Sequence, residues 1–173
     1  LDAAMVGLVL SVGPAVAALT AIPAGRLADR LGTQCVTTVG LIGMATGAFT
    51  LSILPTMFGI SGYLAPIVVI TASYAFFQTA NNTAVMTDVS PEQRGAISGM
   101  LNLSRNLGLI TGASVMGAVF AFGSAASDIA TAPPEAVATG MRITFAVAAA
   151  LVVVVVRKTR KREGDSRLHR RTE

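Results

Sequence analysis

An uninterrupted stretch of 57 residues, from 31 to 87, contains no Asp, Glu, Lys, Arg or His. A helix rises about 1.5 Å per residue, so one helix of this length would extend far beyond a bilayer core of about 30 Å. The stretch must therefore fold back at least once. Residues that interrupt helices lie near its middle, namely Pro55, Gly59, Ser61, Gly62 and Pro66.

The composition of the whole chain agrees with a membrane location. Hydrophobic residues make up 53% and charged residues 13% of the 173 positions, against about 25% charged in soluble domains. Aromatic residues are 5% and Trp is absent, so small and aliphatic side chains supply the hydrophobicity, as in packed membrane helices. A single cysteine, Cys35, excludes a disulfide scaffold.

We predict an all-α, polytopic membrane protein with a membrane region at 1–156 and a basic cytoplasmic tail at 157–173. The fourth helix has the clearest predicted start, with Ser90 as the capping residue, Pro91 at the first helical position and Gln93 three residues after the cap. The five predicted transmembrane helices lie near residues 3–25, 34–54, 62–87, 91–122 and 135–156.

The positive charges predict the orientation of the chain. Eight of the 13 Lys and Arg residues lie after position 156, so the basic pI describes a tail and not a nucleic-acid-binding surface. Arg26, Arg30 and Arg94 fall on the same side as the tail, and short cytoplasmic loops are rich in Lys and Arg. We therefore expect the N-terminus outside and the C-terminus in the cytoplasm. The tail either binds anionic lipid or is a disordered cluster that sets the topology.

The turn between the first two helices carries a recognisable motif. Residues 25–32 read Gly-Arg-Leu-Ala-Asp-Arg-Leu-Gly, which resembles the loop between the second and third helices of each half of major facilitator superfamily transporters. Thr33 and Gln34 replace the two basic residues that usually follow. Glycine permits a tight reversal, and the charged side chains can form ion pairs at the membrane surface. The resemblance implies a cytoplasmic gate loop made by Gly25, Arg26, Asp29, Arg30 and Gly32.

A second motif spans residues 88–95, Asp-Val-Ser-Pro-Glu-Gln-Arg-Gly, and 102–108, Asn-Leu-Ser-Arg-Asn-Leu-Gly. It is similar to the joint between the fourth and fifth helices of the C-terminal half in drug:proton antiporters, most of all the branch with fourteen helices. The resemblance implies that the five helices are the second to sixth of a six-helix bundle, that the first helix and the N-terminal half are missing, and that the protein resides in a bacterial plasma membrane.

Polar residues on the third helix form a stripe. At about 100° per residue, five of them fall within an arc of roughly 100°. Carboxamides are costly in hydrocarbon unless they face protein or water. Two interpretations remain open, a substrate cavity lining and interhelical hydrogen bonding. The stripe consists of Thr71, Tyr74, Gln78, Asn81 and Asn82.

Beyond the first turn of the predicted fourth helix, Arg105 is the only charged residue. It either extends to the interface or pairs with a carboxylate as a gate or coupling residue. No Asp or Glu lies deep in a predicted span, so a proton-coupling acid is either Asp88 or part of the missing segment. Asp88, Arg94 and Arg105 are the candidates for gating or coupling.

Glycines recur at short spacing on two helices, which allows close approach of backbones. On the second helix the pair is Gly43 and Gly47, and on the fourth helix the set is Gly108, Gly112 and Gly117.

The sequence supports two classes of function and gives no support to a third, an enzyme. The leading hypothesis is the C-terminal fragment of a secondary transporter that exports drugs or small metabolites, with lipid, substrate, protons and the N-terminal half as partners. The alternative is a short oligomerising membrane module without transport activity. No nucleophile elbow, phosphate loop or zinc helix occurs, so we predict no enzyme, no cofactor, no metal and no nucleic-acid partner.

Overall fold

The chain forms five helices and no strand in the residues that the computed structural model describes, which are 3–53, 59–125 and 132–169. Their bounds are α1 (Ala3–Leu31), α2 (Thr33–Ile53), α3 (Gly59–Met86), α4 (Arg94–Ser124) and α5 (Pro134–His169). The predicted turn residue Pro55 lies outside the described residues, as do residues 126–131 of the predicted loop at 123–134. The all-α prediction is confirmed.

Several helix ends differ from the predicted ones. α1 continues through the predicted gate loop to Leu31, and α5 continues past Val156 to His169, so the predicted basic tail is a helical extension up to that residue. Gly59, Gly62 and Pro66 lie inside α3 and not in a turn. Helices in membranes tolerate Pro and Gly because neighbouring groups satisfy the freed backbone atoms.

Consecutive helices run antiparallel, so the turns alternate between two ends of the bundle. One end, called the Gly32 end below, holds Gly32, the turn at 87–93 and the C-terminal part of α5. The other, the Ser52 end, joins the C-terminus of α2 to the start of α5. There the Ser52 hydroxyl donates to the Arg142 carbonyl oxygen at 3.0 Å, and Arg142 Nε donates to the Ser52 carbonyl oxygen at 3.3 Å.

The packing centres on α2 and α3. α2 packs against α3 and α5, α1 packs against α3, and α4 packs mainly against α5 and barely touches α3. A small core lies toward the Gly32 end, where Ala28, Val36 and Ala80 are buried against Leu27 and Phe76. α4 therefore exposes most of its surface, including Leu103, Leu107 and Ile110.

Four helices, α2 to α5, are long and apolar enough to cross a membrane within the described residues. The first predicted span, near residues 3–25, corresponds to α1, where the side chains of 3–6 and 8–10 lie outside the described set. Few of the large apolar side chains are buried, and Ile110 and Phe122 are exposed by 66% and 90%. An exposed apolar surface of this extent is expected where lipid or further protein replaces water.

Candidate functional site

A cleft of about 360 Å³ lies between α3 and α4 near the Gly32 end. The C-terminal half of α3 forms one wall and the N-terminal half of α4 forms the other. Four of the five predicted stripe residues line it, and a second polar stripe faces them from α4. The polar lining consists of Tyr74, Gln78, Asn81 and Asn82 on α3 and of Ser98, Asn102, Ser104 and Arg105 on α4.

The orientation of α3 follows from what its other face buries. Ala80 and Phe76 pack into the core with α1 and α2, and Ser73 and Phe77 approach Gly40 of α2 closely. Because successive residues turn by about 100°, the carboxamides are rotated away from that apolar face and toward α4. Thr71 lies outside the cleft lining, one turn before Tyr74 and half-buried.

Many Ser and Thr hydroxyls elsewhere in the bundle donate to carbonyl oxygens within their own helices. Thr79 and Thr83 on α3 illustrate this, because the Thr83 hydroxyl donates to the Thr79 carbonyl oxygen at 2.9 Å. A hydroxyl bonded to the carbonyl four residues earlier does not need a partner outside the helix. The carboxamides of Gln78, Asn81 and Asn82 instead border the cleft, where a polar ligand or water could bond to them.

Arg105 is the charged side chain in this lining. It lies 11 residues after the start of α4, which is about 16 Å along the helix axis. Asp88 and Arg94, the other two candidates for gating or coupling, are exposed in the turn and at the first residue of α4, and neither lines the cleft. The structure thus brings Arg105 to the carboxamides and leaves Asp88 and Arg94 apart from them.

The α4 wall shows what reasoning from the sequence missed. Ser98, Asn102 and Arg105 are spaced by four and three residues, which is the spacing of one helical face. This spacing is a signal in the sequence from which a polar stripe on the fourth helix could have been predicted. Of the two stripes, only the one on α3 was predicted.

Of the five residues of the predicted gate loop, only Gly32 lies between helices, and the other four belong to α1. Gly32 has φ +83, a left-handed conformation that favours glycine, and its N–H donates to the Ala28 carbonyl oxygen at 3.0 Å. Gly25 is not part of the reversal, contrary to prediction, and lies in α1 with open space around it. Arg26, Asp29 and Arg30 are exposed on the last two turns of α1, while Ala28 between them is buried.

The turn at 87–93 also differs from the predicted cap. α4 begins at Arg94, its N-cap is Gln93, and no side chain caps it. Ser90 is instead part of a tight turn, in which the Gln93 N–H donates to the Ser90 carbonyl oxygen at 3.0 Å. The pKa of Glu92 is held below its ordinary value, first by a hydrogen bond from its own backbone N–H and second by one from the Ser90 hydroxyl.

The glycines fall into two groups. Gly43 and Gly47 lie against α3, together with Gly40, which was not predicted. Gly108, Gly112 and Gly117 have open space where a side chain would be, and α4 meets α5 through Gly123 and Gly140. The close packing expected of those three α4 glycines therefore does not occur between the helices described.

The fold and the cleft define a class of protein, the multi-pass helical membrane proteins with a polar site between helices. The family model for the major facilitator superfamily matches residues 1–113. The chain therefore belongs to the major facilitator superfamily. The matched residues contain α1 to α3, the gate motif and both walls of the cleft.

One relative is named "Uncharacterized transporter YebQ" and comes from Escherichia coli (strain K12). It is 33% identical over 110 residues, which cover 64% of this chain and 24% of the relative. The chain thus matches about a quarter of the length of this relative. No solved structure matches the chain. No cluster of three or more His, Cys, Asp or Glu that could hold a metal ion occurs in the described part.

Proposed function

We propose that this chain forms part of the C-terminal half of a secondary transporter that exports drugs or small metabolites in exchange for protons. The observation that carries the proposal is the polar cleft between α3 and α4, in a chain that belongs to a family of transporters. Transporters of this type hold their substrate between two halves and rock one half against the other. A polar surface on membrane helices is costly unless it faces a cavity or protein.

In this proposal each wall of the cleft has a chemical task. Gln78, Asn81 and Asn82 offer amide donors and acceptors, and Tyr74 offers a hydroxyl and an aromatic face. Arg105 supplies a positive charge that attracts an anionic group of the substrate or a carboxylate of the opposite half. Such a mixed surface suits substrates that carry both polar groups and a ring system.

The proposed carrier contains a further helix before α1 and an N-terminal half, which complete the cavity. Its proton-coupling acid is either Asp88 or a carboxylate in that other half. The proposed orientation places the Gly32 end in the cytoplasm of a bacterial cell. Arg26, Arg30 and Arg94 at that end, with Arg157 and Lys158 of α5, support it.

Transport assays on the complete carrier test the site. In everted membrane vesicles, Gln78→Ala and Asn81→Ala should change the range of dyes exported, because each removes one amide from the cleft. Thr83→Ala is the matched control, since Thr83 is on the same helix but outside the lining. Equal export profiles for all three variants and the wild type, at equal expression, would reject the cleft as the substrate site.

Proton coupling requires a separate measurement. Export should stop when an uncoupler collapses the proton gradient while ATP is kept constant. Export that continues under those conditions contradicts secondary transport driven by protons. If the complete protein assembles into oligomers but moves no solute under any gradient, the alternative of a membrane assembly module is supported instead.

A further inference from the structure

An apolar groove of about 860 Å³ lies between α2 and α5, on a different face of the bundle from the cleft. Its walls are made largely of aliphatic and aromatic side chains, and the alanines Ala146, Ala149 and Ala150 create the hollow on the α5 side. Thr46 is the polar residue in the apolar part. Its hydroxyl donates to the Ile42 carbonyl oxygen at 2.9 Å, so it requires nothing from an occupant of the groove.

The two ends of the groove differ. Toward the Ser52 end, α2 and α5 are joined by the reciprocal hydrogen bonds between Ser52 and Arg142. Toward the Gly32 end, the groove ends at Arg157 and Arg160, which are three residues apart and therefore share a face of α5. The groove is thus apolar along its length and cationic at one end only.

The length of the groove matches one leaflet of a bilayer. From Ala146 to Arg157 the axis of α5 rises about 16 Å. Half of a bilayer core of about 30 Å is about 15 Å. The helix segment that can span the membrane is Pro134–Lys161, so Ala146 lies near its middle and the two arginines lie near its end.

Arg160 also borders a second hollow, of about 390 Å³, which Ile42 shares with the first. This hollow contains Gln34, Thr38 and Val39 of α2. Arg160 therefore borders both the apolar groove and a smaller hollow of mixed polar and apolar lining, which Gln34 also lines. No acidic side chain lines either hollow among the described residues, so these linings offer the two guanidinium groups no carboxylate.

We propose that the groove between α2 and α5 binds an anionic phospholipid from the leaflet at the Gly32 end. One acyl chain occupies the apolar groove, and the lipid phosphate accepts hydrogen bonds from Arg157 and Arg160. Guanidinium groups suit this task because their planar donors match phosphate oxygens in pairs. The occupant is a lipid and not a soluble anion, since the cationic end continues directly into an apolar groove of one leaflet's length.

Lipid binding to the complete protein, purified in detergent, tests the proposal. Dioleoylphosphatidylglycerol and dioleoylphosphatidylcholine would be titrated separately, with bound lipid counted by native mass spectrometry and the shift in unfolding temperature recorded. We expect phosphatidylglycerol to bind more tightly. Each guanidinium near a lipid surface accounts for about a fivefold change in affinity, so Arg157→Gln with Arg160→Gln should weaken it about 25-fold.

A charge-matched control separates this site from general attraction to the basic segment. Arg170→Gln with Arg171→Gln removes the same charge farther along the chain, and phosphatidylglycerol binding should stay within about twofold of the wild type. Equal losses in the two double variants would overturn the proposal in favour of diffuse electrostatics. Unchanged binding in the Arg157 and Arg160 variant would overturn it as well.

The acyl part of the site has its own test. Ala150→Phe fills the groove and should abolish the bound lipid, whereas Ala118→Phe adds the same side chain to an exposed part of α4 and should not. If Ala150→Phe unfolds, Ala146→Phe serves the same purpose. Retention of the lipid in a folded groove-filling variant refutes the site. A second protein copy in the groove, detected as a dimer that Ala150→Phe dissociates, refutes it too.

Discussion

Replacing Gly40 by alanine should weaken the packing of α2 against α3, because the added methyl group would meet backbone atoms of α3. A Cβ atom at Gly40 would lie 2.7 Å from the backbone N of Phe77 and 2.7 Å from the carbonyl oxygen of Ser73. Both neighbours are backbone atoms, so no side-chain rotation relieves the contact. Relief requires the two helices to separate.

The size of the effect follows from that distance. Ordinary contacts of a Cβ begin near 3.4 Å, so the helices must move apart by about 0.7 Å. Overpacking of this kind costs about 1–3 kcal/mol. Alanine itself favours a helix by about 0.5–1 kcal/mol over glycine. Gly99→Ala provides the reference for that gain, because Gly99 is helical and has nothing within 4 Å of the added atom.

The assay is reversible unfolding of the complete protein in mixed detergent micelles, followed by far-ultraviolet circular dichroism. Gly40→Ala should have a free energy of unfolding about 1–3 kcal/mol lower than Gly99→Ala, which removes the helix propensity from the comparison. Equal stability of the two variants would refute the reasoning that α2 and α3 touch through their backbones. The same displacement should impair transport, since α3 carries the carboxamides of the cleft.

Three other predictions concern the ends of the bundle. Arg142→Ala and Ser52→Ala should each lower the free energy of unfolding by about 0.5–1.5 kcal/mol, because each side chain donates to the backbone carbonyl oxygen of the other residue; unchanged stability in both variants would contradict these bonds. Gly32→Ala should cost about 1–2 kcal/mol, since its φ is +83, whereas Gly25→Ala should be neutral or stabilising; equal effects in an unfolding titration would contradict the assigned reversal. Ser90→Ala should raise the pKa of Glu92 part of the way toward its ordinary value, as measured by NMR titration of the labelled carboxyl carbon, and an unchanged pKa would rule out the Ser90 bond. Because folding lowers this pKa, the interaction stabilises the turn above the ordinary glutamate pKa and is lost as the pH falls through the lowered value.

Local patterns were good predictors of helices and poor predictors of their ends. The 57 uncharged residues and the Lys and Arg distribution were enough to predict membrane helices. The predicted helix ends were wrong where a polar motif was interpreted as a loop. Arg26, Asp29 and Arg30 continue α1 because Ala28, on the buried side of the same turns, packs into the core with Val36 and Ala80. The sequence of a motif does not by itself show which of its side chains are buried.

Of the two walls of the cleft, only the polar stripe on α3 was predicted from the sequence. That Tyr74, Gln78, Asn81 and Asn82 share one face could be predicted, because it follows from the period of a single helix. Ser98, Asn102 and Arg105 line the opposite wall, and it could not be predicted that they face the α3 stripe, because this depends on how the two helices pack. The glycines show the same limit. Gly43 and Gly47 contact α3, but Gly108 and Gly112 have the same spacing and open surroundings.

Sequence alone determined that this is a membrane protein, that it is helical and to which family it belongs. Hydropathy, charge distribution and the 25–32 motif are properties of residues that are neighbours along the chain. Only the tertiary structure decided which helices touch, that Arg105 joins the carboxamides of α3, and that Arg157 and Arg160 end a groove against α2. These pairs lie far apart along the chain. Their proximity results from the packing of α3 and α5 on α2 and of α4 on α5, which no local pattern encodes.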